Sequence, residues 1–293
     1  MQPEICHLKG ICLIIRDMKT LFSLIACIIL CQPLCAGVVD STSAAGPSAV
    51  AVMESDGLKF LKGAGHIFSA PVRWNGSDWL TFGGVGVGTA AVSGLDIDGR
   101  LFMQKHQTTG NSSLATAAEQ YGNGFNMIAV SAGGYIAGLA LDERWLRETS
   151  FLAGSAILIA GAISTVTKVL IGRARPYTGD GHMTFKPFSL PLVDVASFPS
   201  GHTIVAFAFS GVLAERINNT WASIGLYGLA ASCGLSRMYT DEHWVSDVVF
   251  GAIISIAVSH SLVRWFESGD DSSSRGGLRI VPGAQSLTLV WTF

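Results

Sequence analysis

The sequence predicts an all-α fold, a membrane-associated bundle of about six core helices followed by a short C-terminal β-hairpin. Two observations predict this fold class. First, 49% of the 293 residues are hydrophobic and only 14% are charged, whereas ordinary soluble domains contain about 25% charged residues. Second, the apolar residues form six long segments in which glycine, alanine and serine are frequent. Small residues of this kind permit close contact between helices.

The charge balance excludes one class of partner. The formal net charge is −2. Such a chain has no basic field that would attract a polyanion. We therefore expect no nucleic acid among its partners.

Residues 1–36 have the layout of a signal peptide or an N-terminal anchor. Lys19 precedes an apolar run from Leu21 to Leu30, and small residues follow the run. An uncleaved transmembrane helix is the alternative, although the run is shorter than a span usually is. Met18 would begin a more compact leader than Met1, so both are candidate start residues.

Cysteine usage is compatible with export. Past the leader the chain contains Cys233 as its one cysteine. A single cysteine cannot form an internal disulfide, and this one lies in an apolar run. We expect it to be a small core residue.

The composition divides the rest of the chain into three regions. Residues 37–77 are rich in glycine, serine and proline and predict a linker with a short helix, residues 78–266 predict the bundle, and residues 267–293 predict a tail. In the tail, Leu278–Val281 and Ser286–Phe293 flank Pro282-Gly283, which predicts a hairpin packed on the bundle. The six apolar segments of the bundle are Trp79–Leu95, Gln120–Leu141, Thr149–Gly172, His202–Leu213, Thr220–Ser236 and Trp244–Trp265.

The number of membrane crossings stays open. The second and third segments alone contain 18 or more consecutive uncharged residues, about the length that a crossing requires. If all six segments cross, the three residue groups described next lie opposite Arg144, Arg147, Arg216 and Arg264. The positive-inside rule then places those groups outside, whereas a cleaved export signal places them inside. A bundle that lies in or on the periplasmic face would remove the conflict.

The first residue group closes the third segment. Lys168 and Arg175 are seven positions apart, about two helical turns, so both cations lie on one side of the helix end. Pro176 directs the chain out of the helix there. The alternative is that basic residues simply complement the helix dipole, a role that we expect for Arg173.

The second group, Ser197 to His202, opens the fourth segment. Ser200 fits a helix N-cap, and Gly201 allows an oxyanion to approach the backbone closely. The free N–H groups of the first turn would then form an anion cradle, with His202 beside it. An ordinary helix start with a structural histidine is the alternative.

The third group, Arg237, His243 and Asp247, lies where the fifth and sixth segments meet. His243 and Asp247 are four residues apart, so they are predicted to share one helix face. There the carboxylate would hold one ring N–H and leave the other nitrogen free as a nucleophile. An exposed surface pair is the alternative. Arg237 argues against it, because a cation at the end of an apolar helix needs an anion nearby.

Together the three groups resemble the signature motifs of the type 2 phosphatidic acid phosphatase family, which shares its site with vanadium haloperoxidases. Every signature position holds the expected residue, and the groups occur in the family's order. The motifs cover Lys168 to Asp247, and the bundle resembles the family more loosely from Trp79 to Trp265.

The resemblance implies a metal-independent phosphoric monoester hydrolase without a cofactor. In a hydrolase of this family, His243 would attack phosphorus and Asp247 would orient His243. His202 would protonate the leaving oxygen and then activate water. The implied phosphate-binding residues are Lys168, Arg175, Ser200, Gly201 and Arg237.

The resemblance also implies a lipid substrate and a membrane location. The candidate substrates are phosphatidic acid, a polyprenyl phosphate or a glycolipid phosphate, and the site of an exported protein would face the periplasm or outside. A vanadate-dependent haloperoxidase and a non-catalytic membrane protein with a vestigial phosphate site are the alternatives.

Other titratable residues carry weaker predictions. We expect Asp96 and Asp98 to be capping or solvated. We expect His182 to be a solvated loop residue, with a place at the entrance of the site as the alternative.

Overall fold

A computed structural model describes residues 48–189, 194–274, 278–283 and 286–291. Contacts divide the chain into two units, Met1–Ser48 and Ala49–Phe293. The signal peptide or anchor predicted for residues 1–36 and the choice between the two start residues lie outside the described residues.

The described residues are overwhelmingly helical. Single 3-10 turns, Ser93–Leu95 and Pro176–Thr178, interrupt the connections. In chain order the α-helices are α1 (Ala49–Phe68), α2 (Ala70–Arg73), α3 (Gly76–Val92), α4 (Asp96–Lys105), α5 (Thr109–Tyr121), α6 (Gly124–Ala140), α7 (Arg144–Ile171), α8 (Gly201–Ile217), α9 (Thr220–Tyr239) and α10 (Val245–Ser274).

The predicted fold class is confirmed. Helices α3, α6, α7, α8, α9 and α10 cover the six apolar segments. Helices α4 and α5 were not predicted, because their sequences are polar and lack an apolar run. Helix α5 begins instead from a capping signal, since the Thr108 side chain accepts the Asn111 N–H at 3.2 Å.

Helix α1 lies where the composition predicts a linker with a short helix. It has 20 residues, and its Ile67 side chain is buried in the core. Gly63 lets the helix approach α10 closely, since a Cβ there would lie 2.9 Å from Leu262 Cδ1. The Tyr135 hydroxyl of α6 donates to Asp56 of α1 at 2.9 Å. This part of the expected linker therefore packs on the bundle.

Within the described residues, three stretches are long and apolar enough to cross a membrane: Gly76–Lys105, Arg144–Ile171 and Val245–Gly269. Helix α6 is apolar but shorter. The first stretch buries little of its surface in the protein, and Leu80 is 77% exposed. Such an apolar exterior is suited to lipid, as the membrane-associated bundle predicted from the sequence requires.

Helix α8 forms the centre of the bundle and contacts α7, α9 and α10. Its Ala206, Ala208 and Val212 side chains are fully buried. Small residues permit this packing: a Cβ on Gly211 would lie 2.8 Å from Ser259 Cβ on α10. The packing fixes which ends of the four helices meet.

Two short strands lie in the tail, β1 (Leu278–Gly283) and β2 (Ser286–Trp291). They pair antiparallel, with Leu278 opposite Trp291 and Gly283 opposite Ser286. Residues 275–277 before them and 284–285 between them lie outside the described residues. The predicted hairpin packed on the bundle therefore stays a prediction.

Candidate active site

Four helix ends bring the three residue groups together. Lys168 lies in the last turn of α7, Arg237 lies in the last turn of α9, and Ser200 directly precedes α8. The Lys168 ammonium donates to the carbonyl of Ala196, just before the second group. The Ser200 N–H donates to the carbonyl of Asp247 at 3.2 Å. All three groups therefore meet at one end of the bundle.

The turn after α7 depends on Gly172. Its φ of 58° is left-handed, and a Cβ there would overlap the Lys186 carbonyl. The chain therefore leaves the helix sharply, and Arg173 enters the protein interior.

Arg173 and Asp96 differ from their predicted roles. Arg173 is 2% exposed and Asp96 is fully buried. The Arg173 guanidinium lies 2.6 Å from a carboxylate oxygen of Asp96 and 2.6 Å from one of Asp247. Asp96 also accepts the N–H and the hydroxyl of Ser246, both at 2.9 Å. Asp96 is therefore not solvated, and Arg173 neutralises two buried carboxylates rather than complementing a helix dipole.

Asp247 is connected to His243 through Ser197. Helix α10 begins at Val245, after His243, so the two residues do not share the helix face that the spacing predicts. The Asp247 carboxylate lies 3.7 Å from His243 Nδ1, beyond hydrogen-bond distance. It accepts instead the Ser197 hydroxyl and the Trp244 N–H, the latter at 2.9 Å. Ser197 in turn contacts the histidine.

The hydrogen bond from His243 selects its tautomer. His243 Nδ1 lies 2.7 Å from the Ser197 carbonyl oxygen. A carbonyl can only accept, so Nδ1 carries the proton and Nε2 has a free lone pair. Burial lowers the pKa of His243 to about 4, so the imidazole is neutral near pH 7. His243 is therefore a candidate nucleophile.

Two arginines line the site beside the histidines. A carboxylate oxygen of Glu242 contacts Arg175 and lies 3.7 Å from Arg237, while Glu119 lies 2.6 Å from Arg237. Burial lowers the pKa of Arg175. The Nε atoms of both arginines are buried without a hydrogen-bond partner in the described part of the chain. Unpaired buried donors of this kind are available to an oxyanion.

His202 lies in the first turn of α8 and faces Arg237 and Glu119. Its Nε2 atom is 3.6 Å from a Glu119 oxygen. Burial, and then the positive charge of Arg237, lower the pKa of His202 to about 4, while Glu119 opposes this effect. A bound phosphate dianion would act in the same direction as Glu119 and favour the protonated ring.

Ser200 and Gly201 occupy the predicted position at the start of α8. The Ser200 side chain does not cap the helix but accepts the Thr203 hydroxyl at 2.8 Å. A Cβ on Gly201 would meet only Lys168 Cε, at 4.0 Å. The space above this glycine is open toward the lysine, as an anion cradle at a helix N-terminus requires.

Several residues of the site were not predicted. Ser197 belongs to the second residue group, but the sequence assigned it no role. Glu119 lies in the polar helix α5 and Glu242 lies in the turn before α10. Arg100 of α4 holds that turn through two hydrogen bonds to Asp241, at 2.7 and 2.6 Å. Nothing in the sequence alone pairs these residues with the site.

Metal-ligating residue types are scattered in the described residues. No group of three or more His, Cys, Asp or Glu side chains converges there in a way that could hold a metal ion. The positive charges that face the site are those of the lysine and the arginines, which bind oxyanions.

Sequence comparisons identify relatives of part of the chain. A family model described as the PAP2 superfamily matches residues 150–269. A lipid A 1-phosphatase of Porphyromonas gingivalis is 41% identical over 64 residues, which are 21% of this chain and 14% of that protein. The bacitracin transport permease protein BcrC of Bacillus licheniformis is 30% identical over 139 residues, 45% of this chain and 64% of that protein. The chain thus spans less than two thirds of either relative.

Solved structures with similar backbones are more distant. The Aquifex aeolicus LpxE structure has a TM-score of 0.48 at 20% identity, covering 58% of this chain and 95% of that chain. A transmembrane PAP2 type phosphatidylglycerolphosphate phosphatase from Bacillus subtilis has a TM-score of 0.45 at 19% identity, covering 73% of this chain and 96% of that chain.

The matched segment contains all eight residues that the three motif groups predicted for the site. It also contains the four helix ends that bring them together. Residues 150–269 of this chain are therefore similar to the PAP2 superfamily.

Proposed function

We propose that the chain is a metal-independent phosphatase that hydrolyses phosphate monoesters of lipids through a phosphohistidine intermediate on His243. One observation carries the proposal. The unpaired Nε donors of Arg175 and Arg237 lie in the same site as a neutral histidine whose Nδ1 is already bonded. The site therefore offers charge neutralisation and a free nucleophile together.

The first chemical step uses the free lone pair of His243. Nε2 attacks phosphorus, the bond between phosphorus and the ester oxygen breaks, and the departing oxygen takes a proton from protonated His202. Lys168, Arg175 and Arg237 neutralise the charge on the equatorial oxygens, and Arg binds two of them at once. The Ser200 hydroxyl and the Gly201 N–H complete the cradle.

The second step reverses the role of His202. The neutral ring accepts a proton from water, the water oxygen attacks phosphorus, and the bond from phosphorus to Nε2 breaks. Phosphate leaves and both histidines return to their starting states. Throughout both steps the Ser197 carbonyl holds the Nδ1 proton, and Asp247 holds Ser197. Asp247 is thus proposed to orient the nucleophile through Ser197.

The surface beside the site favours an amphiphilic substrate. In its described part, the connection after α7 exposes large apolar side chains that include Met183 at 62%, Phe185 at 46% and Phe188 at 70%. This connection follows a stretch that is long enough to cross a membrane, so these side chains are suited to the headgroup region. We propose that the substrate's chains remain in lipid while its phosphate enters the cradle. Phosphatidic acid, a polyprenyl phosphate and a glycolipid phosphate fit this description.

The purified protein is expected to hydrolyse phosphatidic acid in excess EDTA and to be inhibited by vanadate, which mimics the five-coordinate transition state. Released inorganic phosphate is the measurement. Complete loss of activity on chelation would contradict the metal-independent mechanism. Equal kcat/KM for glucose 6-phosphate and phosphatidic acid would contradict the lipid substrate, and bromide oxidation with added vanadate would reassign the site to a haloperoxidase.

We also propose that the leader exports the chain and that the active site faces the periplasm. The signal-like layout of residues 1–36 supports this orientation. Reporter fusions after Pro191 and after Arg264 are expected to give a periplasmic and a cytoplasmic signal, respectively, if the bundle spans the membrane. A cytoplasmic signal after Pro191 would overturn the orientation, and periplasmic signals at both positions would show that the bundle does not cross as described.

A further inference from the structure

Glu119 lies between two groups of the site although it belongs to α5, outside the segment that matches the family model. Its Oε1 atom is 2.6 Å from an Arg237 guanidinium nitrogen and 3.6 Å from His202 Nε2. The Glu119 side chain is 29% exposed and the His202 side chain 31% exposed. One oxygen therefore faces both a phosphate-binding arginine and the proposed proton donor.

The position of Glu119 is enforced by the residues that follow it. The Tyr121 hydroxyl is buried and lies 2.7 Å from the Ser210 hydroxyl of α8. Gly122 passes directly against the first turn of α8, since a Cβ there would lie 2.5 Å from the His202 carbonyl oxygen. These two contacts seat the last turn of α5 on the helix that carries His202.

His202 needs a negative charge nearby if it is to donate a proton to the leaving oxygen. The cations that act on it come from three elements: Arg237 of α9, Arg175 of the connection after α7, and Lys168 of α7. Each of them disfavours a protonated imidazole, and so does burial. Glu119 is the opposing anion on the fourth element packed here, α5.

We propose that Glu119 is a positioning residue that favours the protonated, proton-donating form of His202. The inference rests on the proposed phosphatase function. When the ester bond breaks, the proton passes from the His202 ring to the leaving oxygen, and the ring becomes neutral. Glu119 itself forms and breaks no bond in this step.

The test compares Glu119→Gln with Glu215→Gln on two substrates. Glu215 is a matched control, because it is also a glutamate that faces a histidine. Its Oε1 atom lies 2.8 Å from His260 Nδ1, and this pair is remote from the site. The substrates are 4-nitrophenyl phosphate, whose leaving group departs without a proton, and phosphatidic acid, whose alkoxide needs one. His202→Ala provides the reference pattern of a missing proton donor.

For phosphatidic acid, Glu119→Gln is expected to lower kcat on the order of tenfold, since a general acid contributes about 100-fold or more and this variant only weakens it. For 4-nitrophenyl phosphate, kcat should stay within about twofold of the wild type, an allowance for ordinary surface effects. The alkaline limb of the kcat profile for phosphatidic acid should move to lower pH, because a ring without its anion loses its proton sooner. Glu119→Asp should restore part of this shift, and Glu215→Gln should change neither substrate.

Each other outcome is decisive. Equal losses on both substrates would show that Glu119 acts through Arg237 or the fold, and would overturn the inference. A Glu119→Gln enzyme that behaves like Glu215→Gln would overturn it too, as would a His202→Ala enzyme without a preference for the nitrophenyl ester. A wild-type protein inactive on both substrates would refute the phosphatase function itself.

Discussion

Replacing His243 with alanine is expected to abolish turnover of every phosphate ester, activated or not, with a loss of at least about 10⁴-fold. The reason is the bond made in the first step: without Nε2 no atom of the protein attacks phosphorus, and no covalent intermediate forms. The measurement is the steady-state rate on 4-nitrophenyl phosphate and on phosphatidic acid. Acid-labile, alkali-stable phosphate should be trapped on the wild-type protein by rapid quench and should be absent from the variant.

The control for this variant is His260→Ala. Like His243, His260 forms a hydrogen bond through Nδ1, but its partner is Glu215 and it lies on α10 away from the site. Its replacement should leave the rate within about twofold of the wild type. A His243→Ala enzyme that retained a trapped phosphoryl group would show that another residue is the nucleophile.

The same histidine determines the acid limb of the pH profile. Burial lowers the pKa of His243 to about 4, below its ordinary value of 6.5. Above this pKa the ring is neutral and can attack, and below it Nε2 is protonated and cannot. For 4-nitrophenyl phosphate, whose leaving group needs no proton from His202, kcat/KM should therefore remain on its plateau down to about pH 5 and fall tenfold per pH unit below about pH 4.

The second large effect concerns stability. Arg173→Met should destabilise the protein by about 3–5 kcal/mol, because it removes the shared cation of two buried carboxylates. The affected pairs are those of Arg173 with Asp96 and with Asp247, each at 2.6 Å. The measurement is the apparent Tm of the detergent-solubilised protein, together with kcat, which should fall because Asp247 supports the nucleophile through Ser197.

Two further variants make this prediction specific. Lys186→Met removes an exposed pair with Asp180, in which both side chains are about half exposed, and should change stability by about 0.5 kcal/mol or less. Adding Asp96→Asn to Arg173→Met should restore part of the lost Tm, because one of the two uncompensated charges disappears. An unchanged Tm in Arg173→Met, or an Asp96→Asn addition that lowers the Tm further, would contradict the role of this buried network.

The six core helices could be predicted from the sequence because their signals are local. A run of apolar residues such as Thr149–Gly172 must be buried in protein or lipid wherever it lies in the fold. The signal of Ser200 was equally local, because it directly precedes a helix. The predicted role of Pro176 was wrong: α7 already ends at Ile171 with the left-handed Gly172, so Arg175 lies outside the helix and does not share its end with Lys168. Helices α4 and α5 were not predicted, and α1 was predicted only as a short helix in a linker, because mixed or polar sequences form helices mainly through tertiary contacts.

The sequence by itself determined which side chains carry the proposed chemistry and that they lie at helix ends. Only the tertiary structure decided how they are connected. Arg173 meets Asp96 across 77 positions, and Glu119 meets His202 because Gly122 lets two helices touch. His243 donates to the Ser197 carbonyl rather than to Asp247, because the helix begins after the histidine. Electrostatic and hydrogen-bond partners are chosen by distances of about 3 Å, which spacing along a chain does not specify beyond the next helical turn.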